Sequence, residues 1–504
     1  MTGSGVTQRS FMLEPTSMQL RTLLNAVIHP SPDSYALVRA VFVRLLGVVY
    51  LIAFASFGVQ MAGLVGADGI LPASEFLERV RDIFGSDSYR LVPTVFWVSA
   101  SDVALTIGMI AGLALSVCLI VGFLHRTALV ALYTLYLSFV SVGQVFMSYQ
   151  WDTLLLEVGF LSIFLAIPGP ALVWLFRALM FRFWFLSGAV KLLSDDPTWS
   201  SLTALTYHYE TQPLPTWVAW YAHHLPEGFH RLAVGGVFFV EMVVPFMVFG
   251  PRPLRFFAAA CFTGLNIVIA VTGNYTFFNL LSIILCVFLL DDDLLQRTPE
   301  RVRRFVPRFP TFTRPQRVLT GAMATIAAFV LIVGGLQLWG TFAGSYPGPT
   351  AAAIRWISPF HTVNGYGLFA VMTTLRPEII VQGSNDGMEW RTYEFKHKPG
   401  DLARRPSFVA PHQPRLDWQM WFAALNPNRV SGWFQAFALR LLEGSPSVTG
   451  LLAENPFPES PPRYIKAELY LYTISDYGAR RETGHWWERR HVGTYFGPVT
   501  LGRE

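Results

Sequence analysis

Cysteine and charge are both scarce in this chain. Its 504 residues hold three cysteines, and Asp, Glu, Lys and Arg together make up 14%. The three, Cys118, Cys261 and Cys286, all fall in apolar runs and none belongs to a CxxC pair, which excludes a disulfide framework and thiol–disulfide exchange. So little charge cannot coat a soluble body of this size, whereas 52% of residues are hydrophobic and the mean hydropathy is +0.41. That balance points to a multi-pass membrane protein. GxSxG, HExxH, Walker A and GxGxxG motifs are missing from any usable context. His208, His223, His224 and His230 match no metal-ligand spacing; with Trp199, Trp217, Trp220 and Tyr221 they suit an aromatic loop at headgroup level. No metal, cofactor or nucleic-acid partner is expected: the net charge of +5 comes from basic residues placed beside apolar spans.

What is present is a series of apolar runs at about 43–65, 103–122, 127–147, 153–171, 173–192, 231–250, 254–272, 276–290 and 318–341. About nine transmembrane helices are expected, within a bundle over 43–342. The N-terminal segment 1–42 carries no cleavable signal, so the first span is expected to serve as the targeting signal. Basic residues favour one parity of loop: Arg9, Arg21 and Arg39; His125-Arg126; Arg177 and Arg182; Arg252 and Arg255; then Arg297, Arg301, Arg303, Arg304, Arg308, Arg314 and Arg317. These loops are expected in the cytoplasm with the N-terminus. The C-terminal region then lies outside the cytoplasm, extracytoplasmic or lumenal. In the loop 66–100, Glu75, Glu78, Arg79, Arg81 and Asp82 fit a short amphipathic helix.

From about Ser345 the composition is that of a globular domain. Ile379–Gly383 and Trp390–Phe395 read as strands joined at Ser384-Asn385-Asp386-Gly387, Leu416–Leu442 as helical with a break at Asn426-Pro427-Asn428, and Ile465–Ile474 as a further strand. The expectation for 343–504 is an exported α+β domain, β-sandwich-like. Within it, Arg404, Arg405, Arg415, Asp417, Trp418 and Trp421 form an arginine- and aromatic-rich stretch suited to a rigid surface with aromatic anchors, or to folding back on its own sheet.

Inside the membrane the costly residues are Asp152, Glu157, Lys191 and Glu241. Asp152 suits a helix cap. Lys191 either snorkels to the headgroups or is buried against a carboxylate, with Glu157 or Glu241 as the partner. His208 follows in the polar stretch beyond Lys191. Asn274-Tyr275-Thr276 matches a glycosylation sequon, but between two spans and too near the bilayer for use.

Long stretches carry a resemblance: YQWDTLLLEVGFL (149–161), FRFWFLSGAVKLLSDDPTWSSLTALTYHYETQPLP (181–215), TGNYTFFNLL (272–281), the block from Gly383 to Leu425, and HWWERRHVGTYFGPVTL (485–501). The chain resembles the lipase maturation factors over most of residues 35–501. That implies a non-enzymatic, chaperone-like role in folding and assembling secreted lipases or other exported clients, with the client held by the C-terminal domain. The membrane would be the endoplasmic reticulum in a eukaryote or the plasma membrane in a bacterium, with membrane lipids the other partner. The membrane part also looks distantly like vitamin K-dependent gamma-carboxylases and related HTTM-type domains, through Gly188-Ala189-Val190-Lys191-Leu192. This second resemblance implies an alternative: a membrane enzyme using Lys191 as base on a quinone- or lipid-like substrate, with Glu157 or Glu241 setting its protonation and His208 as a further catalytic candidate.

Overall fold

The computed structural model describes residues 35–167, 169–296, 316–346 and 348–502. Arg9, Arg21 and the arginine cluster Arg297, Arg301, Arg303, Arg304, Arg308 and Arg314 lie outside the described residues. The apolar runs are helical: α1 (Ala36–Gly58), α2 (Asp102–Val121), α3 (His125–Val142), α4 (Gln150–Ser162), α5 (Ala171–Leu193), then, after the short α6 (Ala204–Thr211), α7 (Glu227–Met247), α8 (Arg252–Thr272), α9 (Phe278–Leu285) and α10 (Gln316–Ala343). Among the described residues six helices are long and apolar enough to cross a membrane by length and composition: α1, α2, α5, α7, α8 and, from Arg317, α10. The other three runs hold shorter or more polar helices. α3 has 18 residues and begins on His125-Arg126, α4 has 13, and α9 has 8 before a 3-10 turn.

Two boundaries differ from the hydropathy reading, each for a local reason. The first helix begins at Ala36 and not near 43, because the Asp292 carboxylate accepts the orphan N–H groups of Leu37 (3.0 Å) and Val38 (2.9 Å) and fixes its start. α4 stops short of the full run because the Arg39 guanidinium donates to the carbonyls of Leu165, Ile167 and Gly169, satisfying a buried stretch of irregular backbone. α7 changes to a π-helical turn over Phe239–Val243. Pro245 supplies the cause: it has no N–H for the carbonyl of Glu241 four residues earlier, and its ring would crowd that carbonyl. The amphipathic helix expected in the 66–100 loop is Ala73–Phe84, burying Ala73, Leu77 and Val80.

The C-terminal region is built on one five-stranded antiparallel sheet, order β3-β2-β1-β4-β5: β1 (Arg376–Ser384), β2 (Arg391–Phe395), β3 (Leu452–Glu454), β4 (Tyr464–Ile474) and β5 (Trp487–Val499). Gly387, at φ 76°, supplies the left-handed residue of the β1–β2 turn and sets Val381 opposite Tyr393. β1 pairs with β4 through Ile379 and Leu469. The second layer is helical: α11 (Arg415–Ala424) packs on β1 and α12 (Gly432–Glu443) on β4, with Phe434 against Tyr495 and Phe437 against Phe395. A single sheet faced by helices thus stands, among the described residues, where a β-sandwich-like pair of sheets is expected. The break between α11 and α12 falls at Asn426-Pro427-Asn428.

Candidate functional site

Three buried polar clusters lie where the helical region meets the sheet region. The first joins α4 to α11. Asp152 and Arg415 are each 0% exposed, and Arg415 grips Asp152 with both terminal nitrogens at 3.0 Å while Nη1 also donates to the Phe146 carbonyl. Tyr136 donates to the same carboxylate. Burial opposes charge on Arg415, and the Asp152 carboxylate more than restores it, holding the guanidinium above its ordinary pKa. Gln60 at the end of α1 accepts from the Arg415 backbone N–H at 2.8 Å, and Ser56 Oγ accepts from the Gln413 N–H at 2.8 Å. Trp151, stacked on Tyr149, meets Trp418 edge to face at 4.8 Å. One loop residue completes the joint: Asn274 accepts from the N–H groups of Val409 (2.7 Å) and Ala410 (3.0 Å) and donates to the carbonyls of Leu214 and Ser407. Both polar side-chain atoms of the sequon asparagine are thus used within the fold.

The second cluster joins α4, α5 and the segment leading to the sheet. Glu157 pairs with Arg182 and also accepts from the Asn364 N–H at 2.8 Å and the Tyr366 hydroxyl at 2.7 Å. From there residues 364–372 form a strap across the ends of the helices. Gly367 N–H donates to Gln150 Oε1, Trp199 Nε1 to the Phe369 carbonyl (3.0 Å), Ser194 Oγ to the Ala370 carbonyl (2.6 Å) and Met372 N–H to Asp196. A Cβ on Gly367 would come 2.9 Å from Val190 Cγ1, so glycine lets the strap lie flat on α5.

The third cluster is the ion pair of Lys191 and Glu241. Lys191 Nζ lies 3.0 and 2.7 Å from the two Glu241 oxygens and 2.9 Å from the Ser187 carbonyl, and 5.2 Å over the Trp199 ring. The π turn brings Glu241 to this position, and Gly188 admits it: a Cβ there would meet Met242 Sδ at 2.6 Å and Glu241 Cβ at 2.9 Å. All three contacts of the Lys191 nitrogen are to acceptor oxygens, so in this state it is fully engaged by the protein. A cavity of about 110 Å³ borders the pair, lined also by His208, Asn266 and Tyr275. His208 lies 3.4 Å from the Tyr275 hydroxyl, which donates to Gln212. Burial, helped by the Lys191 charge, pushes the His208 imidazole down to about 4, so it is neutral at physiological pH.

Of the catalytic candidates, Lys191, Glu241 and His208 share one cavity wall and Glu157 does not. Of the client-binding candidates, Arg415, Asp417, Trp418 and Trp421 are buried. Asp417 accepts from the N–H groups of His397 and Lys398, and Trp421 donates to the Thr211 carbonyl at 2.9 Å. These four therefore form no outward surface. Arg404 is half-buried against the carbonyls of Phe395 and Lys398, and Arg405 is exposed, stacked 4.6 Å over Trp217. Arg182 also departs from its expected role: it is a buried intramembrane partner and not a loop charge that reports orientation. Its position eleven residues into an apolar helix is the signal that marks it, the same signal that marks Lys191. Arg376, absent from the sequence-level candidates, caps the C-terminus of α6 through the carbonyls of Glu210, Gln212 and Pro213. Among the described residues no group of three or more His, Cys, Asp and Glu side chains could hold a metal ion.

Residues 37–297 match the family model for the lipase maturation factor transmembrane domain, and residues 362–497 that for the lipase maturation factor C-terminal domain. Lipase maturation factor 2 of Rattus norvegicus is 36% identical, covering 92% of this chain and 83% of its own length. Lipase maturation factor 2 of Homo sapiens is 34% identical over the same shares. Lipase maturation factor 1 of Bos taurus is 34% identical, covering 93% of this chain and 90% of its own. No solved structure matches the chain at a significant level.

Proposed function

The chain belongs to the lipase maturation factor family, and on that premise we propose that this multi-pass membrane protein assists the folding, assembly or maturation of a secreted lipase or related exported protein. The observation that carries the reading is similarity over 92% of the chain to proteins named for that role. We take the chain as three parts: a cytoplasmic segment 1–42, a membrane domain 43–342 of about nine spans, and an extracytoplasmic or lumenal client-binding domain 343–504. The membrane is the endoplasmic reticulum in a eukaryotic cell and the plasma membrane in a prokaryotic one. Support for the orientation comes from α1. Its start, at Tyr35, is bonded by Arg177 and Arg255, while its far end, at Ser56 and Gln60, meets the sheet region.

In this reading Arg404 and Arg405 contact the client, while Arg415, Asp417, Trp418 and Trp421 position that surface through the joint. The stacking of exposed Arg405 on Trp217, next to Phe408 at 49% exposure, supports the choice. The test is co-expression of a secreted lipase with the full chain or with Arg405→Glu. The full chain raises the specific activity of the secreted enzyme, and the variant raises it less at equal membrane abundance. An unchanged secreted activity with the full chain would refute the reading.

One observation favours a second reading as a membrane enzyme acting on a quinone- or lipid-like substrate: the cavity borders Lys191. A base at Lys191 first requires that Glu241 release it, since all three N–H groups are engaged. Glu241→Gln therefore raises turnover if the reading holds, and abolition of turnover by that variant removes it.

A further inference from the structure

The polar groups around the Lys191 cavity are not spent equally on one another. Asn266, 1% exposed and deep in α8, donates from Nδ2 to the Phe262 carbonyl at 2.9 Å, and its Oδ1 has no partner among the described residues. That oxygen belongs to a residue lining the cavity. A carboxamide oxygen left open inside a membrane bundle costs on the order of 1–3 kcal/mol unless something donates to it. His208, which also lines the cavity, uses one ring nitrogen toward Tyr275, and the other has no partner among the described residues. Apart from Ser187, whose hydroxyl donates to the Phe183 carbonyl, the rest of the lining is apolar or aromatic, with Phe183, Trp184, Leu265, Ile269 and Phe278.

We infer that this cavity is a binding site for a neutral, hydroxyl-headed lipid whose hydroxyl donates to Asn266 Oδ1 and whose chain runs out between α7 and α8. Neutrality follows from the ion pair. Lys191 and Glu241 already cancel, so a charged head would enter as an uncompensated charge in a low-dielectric site, whereas a hydroxyl adds a donor and no charge. The route follows from exposure. Val237 of α7 and Leu265 and Ile269 of α8 line the cavity yet are only half-buried, which places the mouth on the wall turned toward lipid. The placement fits as well: Lys191 and Asn266 sit in the last third of their helices and share the cavity with residues of the strap. The volume, about 110 Å³, suits a head and the first carbons, the remaining chain lying in the bilayer. Leu368, Phe369 and Met372 of the strap roof the cavity, so its occupant touches the segment that leads to the sheet. The inference names an occupant for the cavity on which the second reading rests but requires no turnover there, and neither outcome below bears on the lipase-client reading.

The test uses the full chain in phospholipid nanodiscs with a diazirine-bearing hexadecanol as probe, adducts being mapped by mass spectrometry. Adducts concentrate on the cavity lining, and Asn266→Leu lowers them roughly tenfold, the size of one lost hydrogen bond in a buried site. Ile269→Trp, which fills the mouth without touching a polar group, lowers them as well. Adducts on the outward faces of α2 and α10 stay constant in both variants and report that the bundle is intact. Adducts confined to those outward faces in the unaltered chain overturn the inference. So does an equal lining yield from the matching diazirine alkane without a hydroxyl, or from the matching fatty acid.

Discussion

At the scale of single residues, the decisive fact is that each costly charge has a specific partner. Arg415 without Asp152, or Asp152 without Arg415, leaves a buried charge with no counter-ion, a loss of about 3–5 kcal/mol. Arg415→Met is therefore expected to lower the thermal unfolding midpoint of the detergent-solubilised chain markedly. The double variant Asp152→Leu, Arg415→Met restores much of it, because the desolvation penalty disappears with both charges. An additive double variant would show that the pair is not a unit. The Asn274 sequon gives a second expectation. Its side-chain oxygen and nitrogen are both occupied and the residue is 2% exposed, so expression in a glycosylating host adds no glycan there, checked by the absence of a mobility shift on endoglycosidase treatment. Sequence alone exposes the cost of Lys191 and Glu241, and their pairing is one of the two it allows. It does not expose Asp152 with Arg415, since 263 residues separate them and an aspartate at a helix start has a sufficient local explanation as a cap.

At the scale of elements, the strap and the joint make the sheet region and the helices share one apolar core, in which Trp151, Tyr275 and Trp418 meet. Histidines sit on its rim. His412 bonds Ser56 through Nδ1 at 2.9 Å, and burial, with His397 and then Arg415 adding like charge, pushes its imidazole down to about 4. A group with a folded pKa below its unfolded value of 6.5 is neutral in the folded chain while the unfolded chain takes up a proton. Stability is thus complete above about pH 6.5 and is lost progressively as the pH falls from there toward 4. His208 has the same sign and the same window. The unfolding midpoint should fall between pH 7 and about 5, and His412→Gln should flatten that slope. A midpoint independent of pH over this range would show that these imidazoles do not control the joint. Element identity was legible where one period dominates: the apolar runs, the β1–β2 hairpin with its Asp-Gly turn, and the α11–α12 break. The partners of β4 were not, because β1 lies more than 80 residues earlier in the chain and local alternation carries no information about register.

At the scale of the whole molecule, the two ends of α1 carry opposite chemistry, and that asymmetry makes the orientation testable in one experiment. One end gathers Tyr35, Arg39 and Asp292 with the basic residues Arg177 and Arg255; the other is tied through Ser56 and Gln60 to the sheet. Arg463, exposed beside β4, and Asp293, exposed beyond α9, therefore lie on opposite sides of the membrane if the bundle spans it as composition requires. In a chain with Cys118, Cys261 and Cys286 replaced by alanine, Arg463→Cys should react with a membrane-impermeant maleimide in intact cells or sealed inverted microsomes according to the exported side, and Asp293→Cys only from the cytoplasmic side. The reverse pattern would turn the sheet region toward the cytoplasm and separate it from any secreted lipase. Arginine bias predicts the first outcome, and it does so even with Arg182 removed from the count, because Arg39, Arg177, Arg252 and Arg255 remain at the same end. Labelling of both positions from one side would instead mean that the helices between them do not cross the membrane an odd number of times.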